Sequence, residues 1–212
     1  MGPTAVYATL YRWSVPLVCL LWLTLMAAAL IEPSLAGAAD PGDALTRNTV
    51  RVALAYYAAA AALMLVLRPA EWAAASWRGR LARGCWTLAW AAYLVHLAMA
   101  FHHVDHWSHA RAVARTHART GFGEGIYLSH LFTLLWTLDV AWWWLRPAGY
   151  ADRPAWAHRG LHGFMAFMVF NATVVFEQGW IRWAGLAGFA VLAAVWLGRG
   201  LIYVPPDPRG RV

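Results

Sequence analysis

A chain of 212 residues with 61% hydrophobic and only 13% charged side chains, and a mean hydropathy of +0.48, has more apolar surface than a soluble domain of this size can bury. Lipid must cover the surplus. The formal charge of +7 does not indicate a nucleic-acid binder, because no basic stripe stands apart from the apolar segments, so nucleic acid is set aside as a partner.

All 17 basic residues are arginine, spread over the whole chain, which reads as a compositional bias. Cys19 and Cys85 lie alone in or beside apolar stretches, so neither a disulfide framework nor a thiolate metal site is indicated. A hydrocarbon core of ~30 Å needs roughly 20 apolar residues at ~1.5 Å each. Cutting the chain at its charged and Pro/Gly-containing stretches leaves segments of about that length at 14–32, 49–67, 84–104, 125–145, 160–178 and 181–203. The predicted fold is all-α: a polytopic transmembrane bundle of about six helices, with 1–212 forming one integral membrane domain.

The first segment has two readings. Arg12, a leucine-rich run, Pro33 and the small residues Ser34, Ala36, Gly37 and Ala38 match a cleavable signal peptide. The run from Val15 to Ile31 is longer than the usual signal core, which favours a retained helix. In the second segment, the alanines from Ala58 to Ala62 form a packing surface, because small residues let transmembrane backbones approach closely.

The third segment runs into Phe101-His102-His103-Val104-Asp105-His106-Trp107-Ser108-His109, four of the nine histidines together with an acid. If the helix continues through it, His102, His106 and His109 stand at i, i+4 and i+7, within about 60° of one another at ~3.6 residues per turn. That is metal-ligand spacing, since one turn brings two imidazoles to one ion. The competing reading is a solvated interface beside an arginine-bearing loop. His96 and His103 share a second face, and His96 alone also reads as a hydrogen-bonding core residue. The Gly121-Phe122-Gly123-Glu124-Gly125 stretch follows no strand and lacks a Lys-Ser/Thr, so it reads as a loop, with His117 a residue of the same loop.

The fourth segment starts beside Glu124, carries His130, and holds Asp139 near its far end; the fifth ends at Asn171, Thr173 and Glu177. His102, His106, His109, Glu124, His130 and Glu177 thus form a candidate metal constellation near one face, since ionisable groups in a span mark function or pair internally. Asp139 has the alternatives of a proton relay, a pair with Arg146, or a backbone donor. His158 and His162 read as interface residues. A tight hairpin at Glu177, Gln178 and Gly179 joins the last two segments.

Arg12, Arg68, Arg78, Arg80, Arg83, Arg146, Arg153, Arg159, Arg199, Arg209 and Arg211 fall on one side. Arg47, Arg51, Arg111, Arg115, Arg119 and Arg182 fall on the other. That excess predicts a cytoplasmic-membrane protein with both termini cytoplasmic and the histidine segment outside. Of the 15 tryptophans, Trp13, Trp72, Trp77, Trp107, Trp142 to Trp144, Trp156, Trp180 and Trp183 lie near segment ends, where the headgroup region suits indole.

The run His102-His103-x-x-His106-x-x-His109 resembles a histidine box of the membrane di-iron desaturases and hydroxylases. Those proteins combine several boxes, and one cluster here argues against di-iron chemistry. Membrane b-type cytochromes hold haem between histidines on facing helices, and His96 with His130, or His103 with His130, is similar to such a pair. Three functions follow as expectations: a site for a transition metal ion or haem serving redox chemistry or metal handling; a transporter or proton conductor using His96, His130, Asp139 and Glu177; or a non-catalytic subunit with partners in a larger membrane complex. No G-x-S-x-G, H-E-x-x-H or phosphate-loop signature is present, and no specific reaction is indicated.

Overall fold

The computed structural model describes residues 3–73 and 76–202; the arginines at 209 and 211, counted above, lie outside them. Its elements are α1 (Pro3–Leu35), α2 (Pro41–Val66), α3 (Pro69–Ala73), α4 (Trp77–Met99), α5 (His109–Thr120), α6 (Gly125–Leu145), α7 (Pro147–Ala151), α8 (Ala155–Phe170) and α9 (Gly179–Ile202). Five-residue π-helical turns extend α4 through Ala100–Val104 and α8 through Asn171–Val175. Among the described residues there is no strand, and the protein is an all-α membrane bundle.

Four helical stretches are long and apolar enough to cross a membrane: Trp13–Leu35, Pro41–Val66, Trp77–Val104 and Gly179–Arg199. α6 fills the fourth predicted segment and α8 with its π turn fills the fifth, but these two are not among the four. They carry the buried polar residues described below. The long helices alternate in direction. The connections at 36–40, 105–124 and 176–178 therefore gather at one end, termed upper, and those at 67–76 and 146–154 at the other, termed lower.

Local chemistry starts each helix. Asp40 caps α2 by accepting the Asp43 N–H at 3.0 Å, with Pro41 preset for the first turn. Ser76 caps α4 through the Gly79 N–H at 3.0 Å. α5 starts at the Ser108 cap and stops where Gly121 takes a φ of +76°, a left-handed stop that glycine adopts without strain. The closest packing joins α1, α2 and α4 through Ala53, Ala60, Ala82, Ala89 and Ala92, all buried, which agrees with the reading of the alanine run.

Indole N–H groups tie helices together. Trp22 donates to the Leu88 carbonyl at 2.9 Å and Trp143 to the Trp72 carbonyl at 3.1 Å. Trp90 donates to Thr137 at 3.0 Å and Trp144 to Thr87 at 2.9 Å. Tyr56 also donates to the Val18 carbonyl at 2.8 Å, so α1 is docked on both α2 and α4. Most of the predicted belt tryptophans are exposed, as a headgroup position requires. Trp143 departs from that expectation: it is 1% exposed and stacks on Trp72 and Tyr150 at centroid distances of 5.2 and 4.7 Å.

Candidate functional site

A large cavity opens among α2, α4, α5, α6 and the two π turns, with a volume of about 600 Å³. Both π turns contribute to its wall, through Ala100 and Phe101 and through Asn171, Ala172 and Thr173. Such turns widen the helix locally and recur at functional sites. The upper wall carries four guanidiniums, Arg47, Arg51, Arg115 and Arg119, against one carboxylate, Glu177.

Those arginines are held differently. The Arg115 fork binds Asp105 through Nε at 2.8 Å and Nη2 at 2.7 Å, and the carboxylate behind it is 1% exposed. Arg119 pairs with Glu177, and Arg47 with Asp43 at 2.8 Å one turn away. Arg51 donates to Asn48 Oδ1 at 3.0 Å and lies over the Trp180 ring at 5.3 Å, with no carboxylate partner among the described residues. The upper connections hold four carboxylates against three guanidiniums, so the positive bias is local to the cavity wall.

The lower part of the cavity is aromatic. Trp136 is 5.5 Å from Tyr93 in a stacked pair and 5.2 Å from Phe132 edge-on, and Tyr57 meets it edge-on at 5.9 Å. Trp136 is 2% exposed, and its buried Nε1–H has no hydrogen-bond partner among the described residues. A buried donor left unpaired costs ~1–3 kcal/mol. Trp136 stands eleven residues into α6, about 16 Å below the helix start at ~1.5 Å per residue.

The expected helical alignment of the histidine segment does not form. The helix ends at Asp105, His106 and Trp107 take φ values of +50° and +59°, and α5 begins at His109. His102, His106 and His109 therefore share no helical face. His102 contacts His103 at 4.6 Å and accepts the Trp107 N–H at 3.3 Å, while exposed His106 has no such contact with them. His103 packs against Gly42, where any β-carbon would meet it at 2.6 Å.

His109 stacks on His130 at 5.5 Å, both exposed, and Tyr127 touches each. His96 sits apart in the cavity wall, donating Nδ1–H to the Thr46 carbonyl at 2.8 Å. The structure thus brings neither His96 nor His103 onto His130. Glu124 precedes α6 without a side-chain cap bond, and Glu177 is committed to Arg119. Among the described residues, no three histidines, cysteines or carboxylates are grouped to hold a metal ion.

A second polar centre lies near the lower end, and the sequence reading misplaced its members. Asp139 does not pair with Arg146; the Arg153 guanidinium meets it at 2.7 Å, with side chains 0% and 3% exposed. Trp86 Nε1–H and Tyr150 Oη–H donate to the other carboxylate oxygen at 2.9 and 3.0 Å. Arg153 also donates through Nε to His158 Nδ1 at 3.0 Å and through Nη2 to His162 Nε2 at 2.9 Å. Guanidinium has no acceptor, so both of those imidazole nitrogens present lone pairs.

His158 and His162 are therefore parts of a buried network and not interface residues. α7 is one short turn, which returns Arg153 beside a carboxylate passed fourteen residues earlier. A carboxylate in mid-span demands a partner, and that demand was visible in the sequence; the reversal that supplies Arg153 was not. Below the network a smaller cavity of about 220 Å³ is lined by Trp72, Tyr150, Arg153, His158 and Arg159 among others.

Fold and site together define a polytopic α-helical membrane protein with a basic-walled cavity at one end and a buried ionic network at the other. No known family model, curated protein or solved structure matches the chain.

Proposed function

We propose that this membrane protein binds an anionic amphiphile, with its carboxylate or phosphate among Arg51, Arg115 and Arg119 and its apolar part along the aromatic depth of the large cavity. The observation that carries this reading is the lining of one cavity, in which four guanidiniums stand together with Tyr57, Tyr93, Phe132 and Trp136. Guanidinium forks match oxyanions with two parallel N–H donors, and apolar walls stabilise a chain by ~0.8 kcal/mol per buried CH₂. The volume of about 600 Å³ falls within the ~300–1,000 Å³ usual for ligand sites.

The unpaired Trp136 N–H refines the ligand. It calls for an acceptor oxygen, such as a hydroxyl or carbonyl, at the aromatic end of the cavity. A ligand with oxygen at both ends of an apolar stretch satisfies the site better than a simple alkyl chain.

Binding of a radiolabelled long-chain fatty acid, and of its ω-hydroxy analogue, to the detergent-purified protein tests this. Arg51→Gln should weaken both by roughly 10–100-fold, since a hydrogen bond to a charged group contributes ~1.5–3 kcal/mol. Trp136→Phe should remove the preference for the ω-hydroxy form. Saturable binding that is unchanged in Arg51→Gln, or no saturable binding of either acid, defeats the proposal.

A further inference from the structure

The two cavities lie at opposite ends of the bundle, and a chain of contacting side chains connects their walls. Trp136, at the floor of the upper cavity, touches Trp86 with ring centroids 4.9 Å apart. Trp86 in turn lies 5.4 Å from His162 and donates its N–H to Asp139. Asp139 holds Arg153, and Arg153 lines the lower cavity. The path from one cavity to the other thus crosses Trp136, Trp86 and the Asp139–Arg153 pair.

The side chains along it come from three helices and one connection. Trp86 comes from α4, Trp136 and Asp139 from α6, and His162 from α8. Arg153 stands in the short connection between α7 and α8, flanked by Asp152 and Pro154. It alone among the side chains of the path stands outside a helix.

The charges follow the same path. Arg51, Arg115 and Arg119 line the upper cavity, and Arg153 and Arg159 line the lower one. In the closed arrangement Asp139 occupies the Arg153 fork as an internal carboxylate. An arriving carboxylate or phosphate offers Arg153 the same chemistry and competes directly for it.

We infer that the Trp86–Asp139–Arg153 layer is the closed gate of a transport pathway, and that the chain carries its anionic amphiphile between the two faces of the membrane by exchanging Asp139 for the ligand's oxyanion on Arg153. This inference rests on the binding reading above. The step is an exchange of ionic partners, so no bond is made or broken and no co-reactant is needed.

Vesicles of phosphatidylcholine containing the purified protein and a trace of a lysophosphatidic acid with a dithionite-sensitive fluorophore on its acyl chain test it. Dithionite added outside bleaches only the outer leaflet unless the lipid crosses. The parent protein should drive bleaching well past the outer-leaflet fraction, whereas a zwitterionic lyso-lipid with the same fluorophore should stop at that fraction. Asp139→Asn, which frees Arg153, should speed crossing several-fold, and Tyr150→Phe, which removes one bond to Asp139, should do so more modestly.

If Asp139→Asn does not fold, Tyr150→Phe carries the test alone. Bleaching that stops at the outer leaflet in the parent, equal crossing of the zwitterionic lipid, or parent-like rates in the folded gate variants would overturn transport. With fatty-acid binding in detergent intact, such a result leaves the binding site standing. If binding is absent as well, both readings fall together.

Discussion

His158 shows how one residue can tie stability to pH. Burial, then the Arg153 and Arg159 guanidiniums, push its imidazole from the ordinary 6.5 down to about 4. The groups facing it are Arg153, which donates to it, His162 at a ring separation of 4.6 Å, and the Trp72 ring edge-on at 5.1 Å, with Asp139 reached through Arg153. A folded-state value below the unfolded one means that the unfolded chain takes up its proton first. The contribution of His158 is therefore complete above about 6.5 and is lost as pH falls from there toward about 4. Thermal unfolding in detergent should show a lower midpoint at pH 5 than at pH 7.5, and His158→Gln, which keeps an acceptor but cannot titrate, should reduce that difference. An equal pH dependence in the variant would show that other groups set it.

At the scale of elements, the joint between α3 and α4 is set by one missing side chain. A β-carbon on buried Gly79 would stand 2.2 Å from the Glu71 carbonyl oxygen, and that oxygen is backbone and cannot swing aside. Gly79→Ala should therefore push α3 off α4 and lower the unfolding midpoint, at a cost of about 1–3 kcal/mol typical of overpacking. Gly84→Ala, where a β-carbon meets nothing within 4 Å, is the matched control.

Helix positions were largely legible from apolar length, because lipid imposes it. The predicted 125–145 coincides with α6, and 84–104 ends where the first π turn ends. The earlier start of α2 was also written in the chain, as Asp40 followed by Pro41. The break at His106 and Trp107 was not. Left-handed backbone at histidine and tryptophan has no composition signal, and without it the three-histidine face seemed continuous. The cavity was equally hidden, since its arginines come from two helices and each first reads as a topology marker.

The whole molecule presents two chemically different ends. Reporter fusions at Ala148 should read cytoplasmic and fusions at Pro41 and Ala114 external, because arginine excess at the lower end is the stronger retention signal. The reverse pattern would turn the large cavity inward and reverse the direction in which an anion first meets it. A fusion at Ala75, which lies outside the described residues, should likewise read cytoplasmic.

The stack of Trp72, Trp143 and Tyr150 has an optical consequence. Trp143 and Tyr150 lie nearly parallel, 3° apart at 4.7 Å, and Trp72 sits against both, at 5.2 Å from Trp143 and 6.0 Å from Tyr150. Rings so placed couple their electronic transitions, giving the lower end its own near-ultraviolet circular dichroism signature. The Arg153 guanidinium rests over the Tyr150 ring at 3.8 Å, so the cation paired with Asp139 is part of the chromophore's environment. The protein thereby carries an intrinsic spectroscopic reporter of its ionic lock, readable without a label.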